Sequence, residues 1–184
     1  MTDKIIVEQS GNIARIIFNQ PEKRNAVSLE MWEAVEAAAA RFAKDDSVRI
    51  LVLSGAGGKA FVSGADISKF ETERASVEAV AQYNAATKRV YDSIEAFPKP
   101  TIAQIDGYCI GGGVALSLSC DLRICGEKSQ FAVPAAKLGL GYGYEGISRL
   151  ANVVGPAFAK EIFFTARRFT STDAKDMGLV YRVV

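Results

Sequence analysis

A chain of 184 residues that is 49% hydrophobic and 23% charged has the composition of a globular domain large enough to bury a full core. Its net charge of +1 offers a polyanion little to hold, so neither nucleic acid nor a membrane surface is an expected partner. Histidine is absent, which excludes imidazole-based triads and most zinc hydrolase sites.

The opening MTDKIIVEQSG turns polar too soon for a signal peptide, and no apolar run reaches the roughly 18 residues of a membrane span. IIVEQ and NIARIIF, separated by SG, read as a hairpin of two strands. From Ser28 to Lys44, apolar residues recur at helical spacing (Leu29, Trp32, Val35, Ala39, Phe42, Ala43), with Ser28 as N-cap. RILVLSG is a short continuous apolar run ending in glycine, the pattern of a buried parallel strand. A long helical pattern from about Ser76 to Phe97 stops ahead of Pro98 and Pro100. TIAQIDG is the next strand, three glycines open a helix running through Cys120, and DLRICG and SQFAVP are short strands.

Helical patterns then cover Gly146–Val153 and Pro156–Thr165. A last helix carries a Thr170/Asp173 capping box and ends at Gly178, before the strand LVYRVV. Strands alternating with helices imply an α/β fold. No repeat or low-complexity linker divides the chain, so residues 1–184 are expected to form a single domain. Cys109, Cys120 and Cys125 fit no zinc spacing and sit among apolar neighbours. They read as buried, reduced thiols of a cytoplasmic protein.

Gly111, Gly112 and Gly113 pose the sharpest question, because glycine costs a helix about 1 kcal/mol relative to alanine. Either another backbone packs very close to them, or their N–H groups serve a ligand. A nucleotide loop is disfavoured, since GGG lacks the GxGxxG spacing and no GKS or GKT follows.

Three further stretches accompany the glycine run: NQPEKRNAVS (19–28), GKAFVSGADIS (58–68) and LGLGYGYEGISRLANVVG (138–155). With IDGYCIGGGVALSLSCDLRI between the second and third, the ordered set resembles the enoyl-CoA hydratase/isomerase, or crotonase, family. The resemblance implies a spiral of ββα units that binds an acyl-CoA thioester as substrate, coenzyme A being part of that substrate rather than a cofactor. It implies that the thioester oxygen lies between the backbone N–H groups of Ala65 and Gly112. It places the CoA ester along Arg24, Ala26, Gly64, Ala65, Asp66, Ile67, Gly111 and Gly112, and assembly as a homotrimer or a dimer of trimers. Lys23 and Arg24 either meet CoA phosphates or form a solvated turn. Asp66 is expected to order its loop rather than to move protons.

The resemblance also shows where this chain departs. The hydratases of the family carry a glutamate two residues after the third glycine and another just after the proline of the next strand. Those positions hold Ala115 and Ala135, and a methyl group moves no proton, so standard hydration is not expected. Isomerisation that relies on a base at position 135 is weakened likewise. GLGYGYEG leaves Tyr142 and Glu145 as candidates. Tyr142 stands in a context similar to that of the methylmalonyl-CoA decarboxylases, and it either serves the chemistry or packs under the helix. Glu145 is either a proton carrier or a favourable charge at a helix start. Lys137 reads as a surface residue. Decarboxylation of a malonyl-type ester needs an oxyanion hole and a proton donor but no base to begin, which fits this residue set. A non-catalytic acyl-CoA-binding or assembly protein is the rival expectation. The family continues with helices that close the CoA site, so a C-terminal helical segment is expected to be missing from this chain.

Overall fold

The computed structural model describes residues 2–69 and 75–184. In chain order its elements are β1 (Ile5–Ser10), β2 (Ile13–Phe18), α1 (Leu29–Ala43), β3 (Ile50–Gly55), β4 (Ala60–Val62), α2 (Val77–Glu95), β5 (Thr101–Ile105), β6 (Tyr108–Ile110), α3 (Gly112–Leu118), β7 (Leu122–Cys125), β8 (Gln130–Ala132), α4 (Tyr144–Thr165), β9 (Phe169–Thr170), α5 (Ser171–Asp176) and β10 (Arg182–Val183).

These strands form two sheets, ordered β1-β2-β3-β5-β7-β10 and β4-β6-β8-β9. The expected hairpin is present, with Ile5 opposite Phe18 and Ser10 opposite Ile13. In β2 the alternate residues Ala14, Ile16 and Phe18 are buried, as the period of two requires of a sheet with one face on the core. Leu51, Val52 and Leu53 of β3 are all buried. Their strand runs parallel between β2 and β5, so its continuous apolar run has the expected cause. From β3 onward each turn of chain adds one strand to the larger sheet, one to the smaller, and then a helix. The triplets are β3–β4–α2, β5–β6–α3 and β7–β8–α4. That is the expected spiral of ββα units.

Helix α1 buries Met31, Trp32, Val35, Ala38, Ala39 and Phe42, one stripe at spacings of three and four. Each large apolar side chain so buried stabilises the fold by about 1.5–3 kcal/mol. Ser28 is the N-cap by position, but its side chain makes no capping hydrogen bond. Ser76 does cap α2, accepting from the Ala79 N–H at 3.1 Å. The Thr170/Asp173 capping box is formed in both directions.

Three strands escaped the sequence reading. β4 and β6 are three residues long and β9 is two, too short to show an alternation. Positions 144–165, labelled α4 as a whole, hold the two expected helices joined end to end across a kink. The kink is at Gly155, with φ 76° and ψ 162°, directly before Pro156. Of LVYRVV, only Arg182–Val183 pairs as strand.

The C-terminus of α3 is held by the buried Arg123. Its guanidinium donates to the Ser117 and Cys120 carbonyls at 3.2 and 2.7 Å, and to the Leu179 carbonyl at 2.8 Å. A cation there complements the helix dipole as well as the orphan carbonyls. Cys109, Cys120 and Cys125 are buried and free. Burial pushes the thiols of Cys120 and Cys125 up to about 12 and about 11, so they stay protonated and unreactive. Among the described residues no helix is long and apolar enough to cross a membrane.

Candidate functional site

Parallel pairing of β4 with β6 sets Val62 beside Cys109. The segments leaving both strands, Ser63–Ala65 and Gly111–Gly112, therefore start side by side. Each of the three glycines has its own reason there. Gly111 has φ +55° and ψ −111°, and its N–H donates to the Ala132 carbonyl at 2.8 Å. A side chain is strained in that conformation. Gly113 is a packing glycine, because a Cβ on it would collide with the Val62 carbonyl. Gly112 is different. A Cβ there would stand 3.9 Å from the Gly64 Cα and 3.3 Å from the Tyr91 hydroxyl, so its bare α-carbon faces the opposite segment. The close-packing alternative posed by the sequence is realised at Gly113.

Two amides remain open. The N–H groups of Ala65 and Gly112 donate to no acceptor among the described residues. Gly112 is the first residue of α3, where an N–H lacks an intrahelical partner and the dipole is positive. The carbonyl of each amide unit is itself engaged. The Gly64 oxygen accepts from the Val27 N–H at 2.8 Å and the Gly111 oxygen from the Ala115 N–H at 3.1 Å. Hydrogen bonding at the oxygen of a peptide polarises its N–H and strengthens it as a donor.

The Ala65 segment is fastened by its neighbours. Val27 and Ala65 form a parallel bridge, with the Asp66 N–H donating to the Val27 carbonyl at 3.0 Å. Asp66 is 4% exposed. Its Oδ1 accepts from the Ser68 N–H and hydroxyl at 3.0 and 2.6 Å. Its Oδ2 accepts from the Lys23 ammonium at 2.9 Å and from Gln20 at 3.4 Å. Burial alone would raise this carboxyl, but the Ser68 and Lys23 hydrogen bonds hold it below the usual carboxylate range. Asp66 thus orders the loop as an anion, as the sequence reading expected. Lys23 is engaged by Asp66 and by the Ser68 hydroxyl at 2.7 Å. Arg24, in the left-handed region at φ 54°, is exposed, with its guanidinium 5.1 Å from the centre of the Tyr108 ring. Ala26 is buried, whereas Ile67 is 74% exposed.

Tyr142 is half-buried on the stretch leading into α4. Its ring meets Phe163 edge-on at 5.1 Å, and its hydroxyl lies 3.9 Å from where a Cβ on Gly111 would stand. Burial raises its pKa, so the phenol stays protonated at neutral pH. Glu145 points elsewhere: 63% exposed, it pairs with Lys88 of α2 at 2.8 Å. Ala115 is half-buried one helical turn into α3, Ala135 is buried, and Lys137 is exposed. Sequence reading missed Tyr91, whose hydroxyl donates to the Gly112 carbonyl at 3.2 Å. On a helix whose inner side carries Ala86, Val90 and Ile94 beside its tyrosines, a tyrosine's place in the stripe gives no sign of where its hydroxyl goes.

A family model described as Enoyl-CoA hydratase/isomerase matches residues 8–184. The short-chain-enoyl-CoA hydratase of Clostridium acetobutylicum is 33% identical over 182 residues, covering 99% of this chain and 69% of that protein. The crotonyl-CoA hydratase of Syntrophomonas wolfei is 35% identical over the same shares. The crystal structure of an enoyl-CoA hydratase/carnithine racemase from Magnetospirillum magneticum superposes with a TM-score of 0.95 at 36% identity, covering all of this chain and 69% of that one. The chain belongs to the enoyl-CoA hydratase/isomerase family.

Proposed function

We propose that this protein is an acyl-CoA enzyme that forms a thioester enolate and holds its oxygen between the N–H groups of Ala65 and Gly112. The single observation behind this reading is the pair of open amides on adjacent segments, each with its own carbonyl already hydrogen-bonded. Negative charge that develops on the thioester oxygen strengthens both bonds more than a neutral carbonyl does, which is what lowers a barrier. Loss of one such donor typically costs about 2.7–4 kcal/mol in the transition state.

The curated relatives named above are hydratases, but hydration needs a base for water and an acid for the α-carbon. The family resemblance assigns those roles to glutamates at positions where this chain has Ala115 and Ala135. Decarboxylation of a malonyl-type thioester suits the remaining groups better. The bond from the α-carbon to the carboxylate breaks, its electron pair passes to the thioester as an enolate, and CO2 leaves. The enolate then takes a proton at the α-carbon from the Tyr142 phenol, and water restores that proton. Tyr142 is favoured over Glu145 as donor because its hydroxyl lies beside Gly111, while Glu145 is on the surface with Lys88. Coenzyme A enters with the substrate, its nucleotide end along Arg24–Ala26. Assembly into trimers, or dimers of trimers, goes with this reading by family resemblance.

Turnover of a panel of malonyl-, enoyl- and β-ketoacyl-CoA thioesters tests the reading. CO2 release from a malonyl-type ester is expected, with very poor hydration of crotonyl-CoA. Tight binding across the panel with no turnover would favour a non-catalytic acyl-CoA-binding protein, the role to which the two alanines also point.

A further inference from the structure

The two open amides belong to segments far apart in sequence, so something must fix their separation. Helix α2 carries two tyrosines on its inner side, Tyr83 and Tyr91, about 12 Å apart along the axis at 1.5 Å per residue. Tyr83, buried, donates its hydroxyl to the Val27 carbonyl at 3.0 Å. That carbonyl also accepts from the Asp66 N–H, and the Val27 N–H in turn holds the Gly64 oxygen. Tyr91 donates to the Gly112 carbonyl at 3.2 Å. Each open amide is therefore tied, through one residue or none, to a phenol on the same rigid helix. Trp32 of α1 locks both rings. Its Nε1–H donates to the Tyr83 hydroxyl at 3.0 Å, and its ring meets that of Tyr91 edge-on at 5.7 Å. The Arg149 guanidinium of α4 lies 5.9 Å from the Tyr91 ring, completing its enclosure.

We infer that Tyr83 and Tyr91 are positioning residues, which use α2 as a brace to set the distance between the Ala65 and Gly112 amides. The inference rests on the oxyanion reading for its catalytic meaning, but the brace itself is a statement about the free protein. Neither phenol is assigned contact with the substrate. Burial raises the Tyr91 pKa, so its hydroxyl donates throughout the working pH range. A helix is a suitable spacer, since its length changes little while side-chain hydrogen bonds at two points transmit its position.

Tyr91→Phe and Tyr83→Phe each remove one hydroxyl and keep the ring, with folding checked by circular dichroism. In the free protein, backbone amide NMR should show Tyr91→Phe moving the Gly112 and Gly113 resonances, and Tyr83→Phe moving those of Ala65 and Asp66. A conjugated dienoyl-CoA thioester, whose absorption shifts to the red when its carbonyl oxygen is polarised, then reports on the two donors together. Both variants should shrink that red shift, and lower kcat about 5- to 10-fold on the substrate the panel identifies, as loss of one hydrogen bond implies. KM should stay within about twofold, because a positioning defect acts on the transition state rather than on CoA binding. The double variant should lose less than the product of the singles, since both act on one distance. Unmoved amide resonances in the folded single variants would overturn the brace. Moved resonances combined with no red shift in the parent protein would leave the brace standing and remove the oxyanion reading instead.

Discussion

Adding one methyl group at Gly113 would drive it into the Val62 carbonyl, whereas the same methyl at Gly141 meets open space. Gly113→Ala should therefore cost about 1–3 kcal/mol of stability by overpacking, and Gly141→Ala close to nothing. Urea unfolding of the two variants side by side checks this, and equal midpoints would refute the packing role of Gly113. At Tyr142 the test is chemical rather than steric. Tyr142→Phe keeps the ring against Phe163 but removes the hydroxyl near Gly111. On the proposed chemistry turnover should fall by about 10²-fold, with CoA-ester affinity little changed. Unaltered turnover would take the proton donor away from Tyr142 and send attention to Glu145. At this scale the glycine run was legible in sequence as a question with two answers. Only the register of β4 against β6 could assign the packing answer to Gly113. The Tyr91 hydroxyl was not legible at all, because its acceptor is a backbone carbonyl contributed by another element.

Elements were legible where their patterns were long. α1, α2, the β1–β2 hairpin and β3 follow from spacing, caps and an apolar run. The short strands β4 and β6 do not, although they aim the site, because three residues in a second sheet are too few to show a period of their own. The loop at Asp66 belongs to this scale, since one carboxylate ties the Lys23 turn to the Ala65 segment. Its pKa is lowered in the folded state, so the ionised form adds stability above the ordinary carboxylate pKa of about 3.9. That contribution is lost as pH falls through the folded-state value. Parent and Asp66→Asn protein should therefore differ most in urea midpoint near pH 7, and the gap should close below about pH 4. A gap constant from pH 7 to 3 would show that the charge of Asp66 is not what holds the loop. In α4 the break at Gly155 sits at φ 76° with nothing within 4 Å of a Cβ. Gly155→Ala is thus a test of backbone strain alone. It should cost about 1–3 kcal/mol, read as a lower urea midpoint with the same slope.

Across the whole molecule, the spiral brings residues from β4, β6, the turn before α1 and the start of α4 to one place while leaving the chemistry there to a few side chains. The fold therefore does not decide the reaction, and the two alanines carry the argument against hydration. Ala115 lies in the first turn and a half of α3, where a carboxylate is favoured by the helix dipole. Ala135 is 3% exposed, a setting that would raise the pKa of a glutamate and suit it to an acid's role. Installing both, as Ala115→Glu with Ala135→Glu, should raise hydration of crotonyl-CoA at least about 10-fold above the parent, since a positioned acid or base contributes about 10²–10⁴-fold when placed well. Each single variant should gain far less, because base and acid act as a unit. Loss of the enoyl absorbance measures the rate, and binding of crotonyl-CoA by calorimetry shows that the site survives the added charges. A folded double variant that binds the ester but hydrates it no faster than the parent would mean that positions 115 and 135 do not face the acyl group. Ala115 and Ala135 would then no longer exclude hydration by the parent chain.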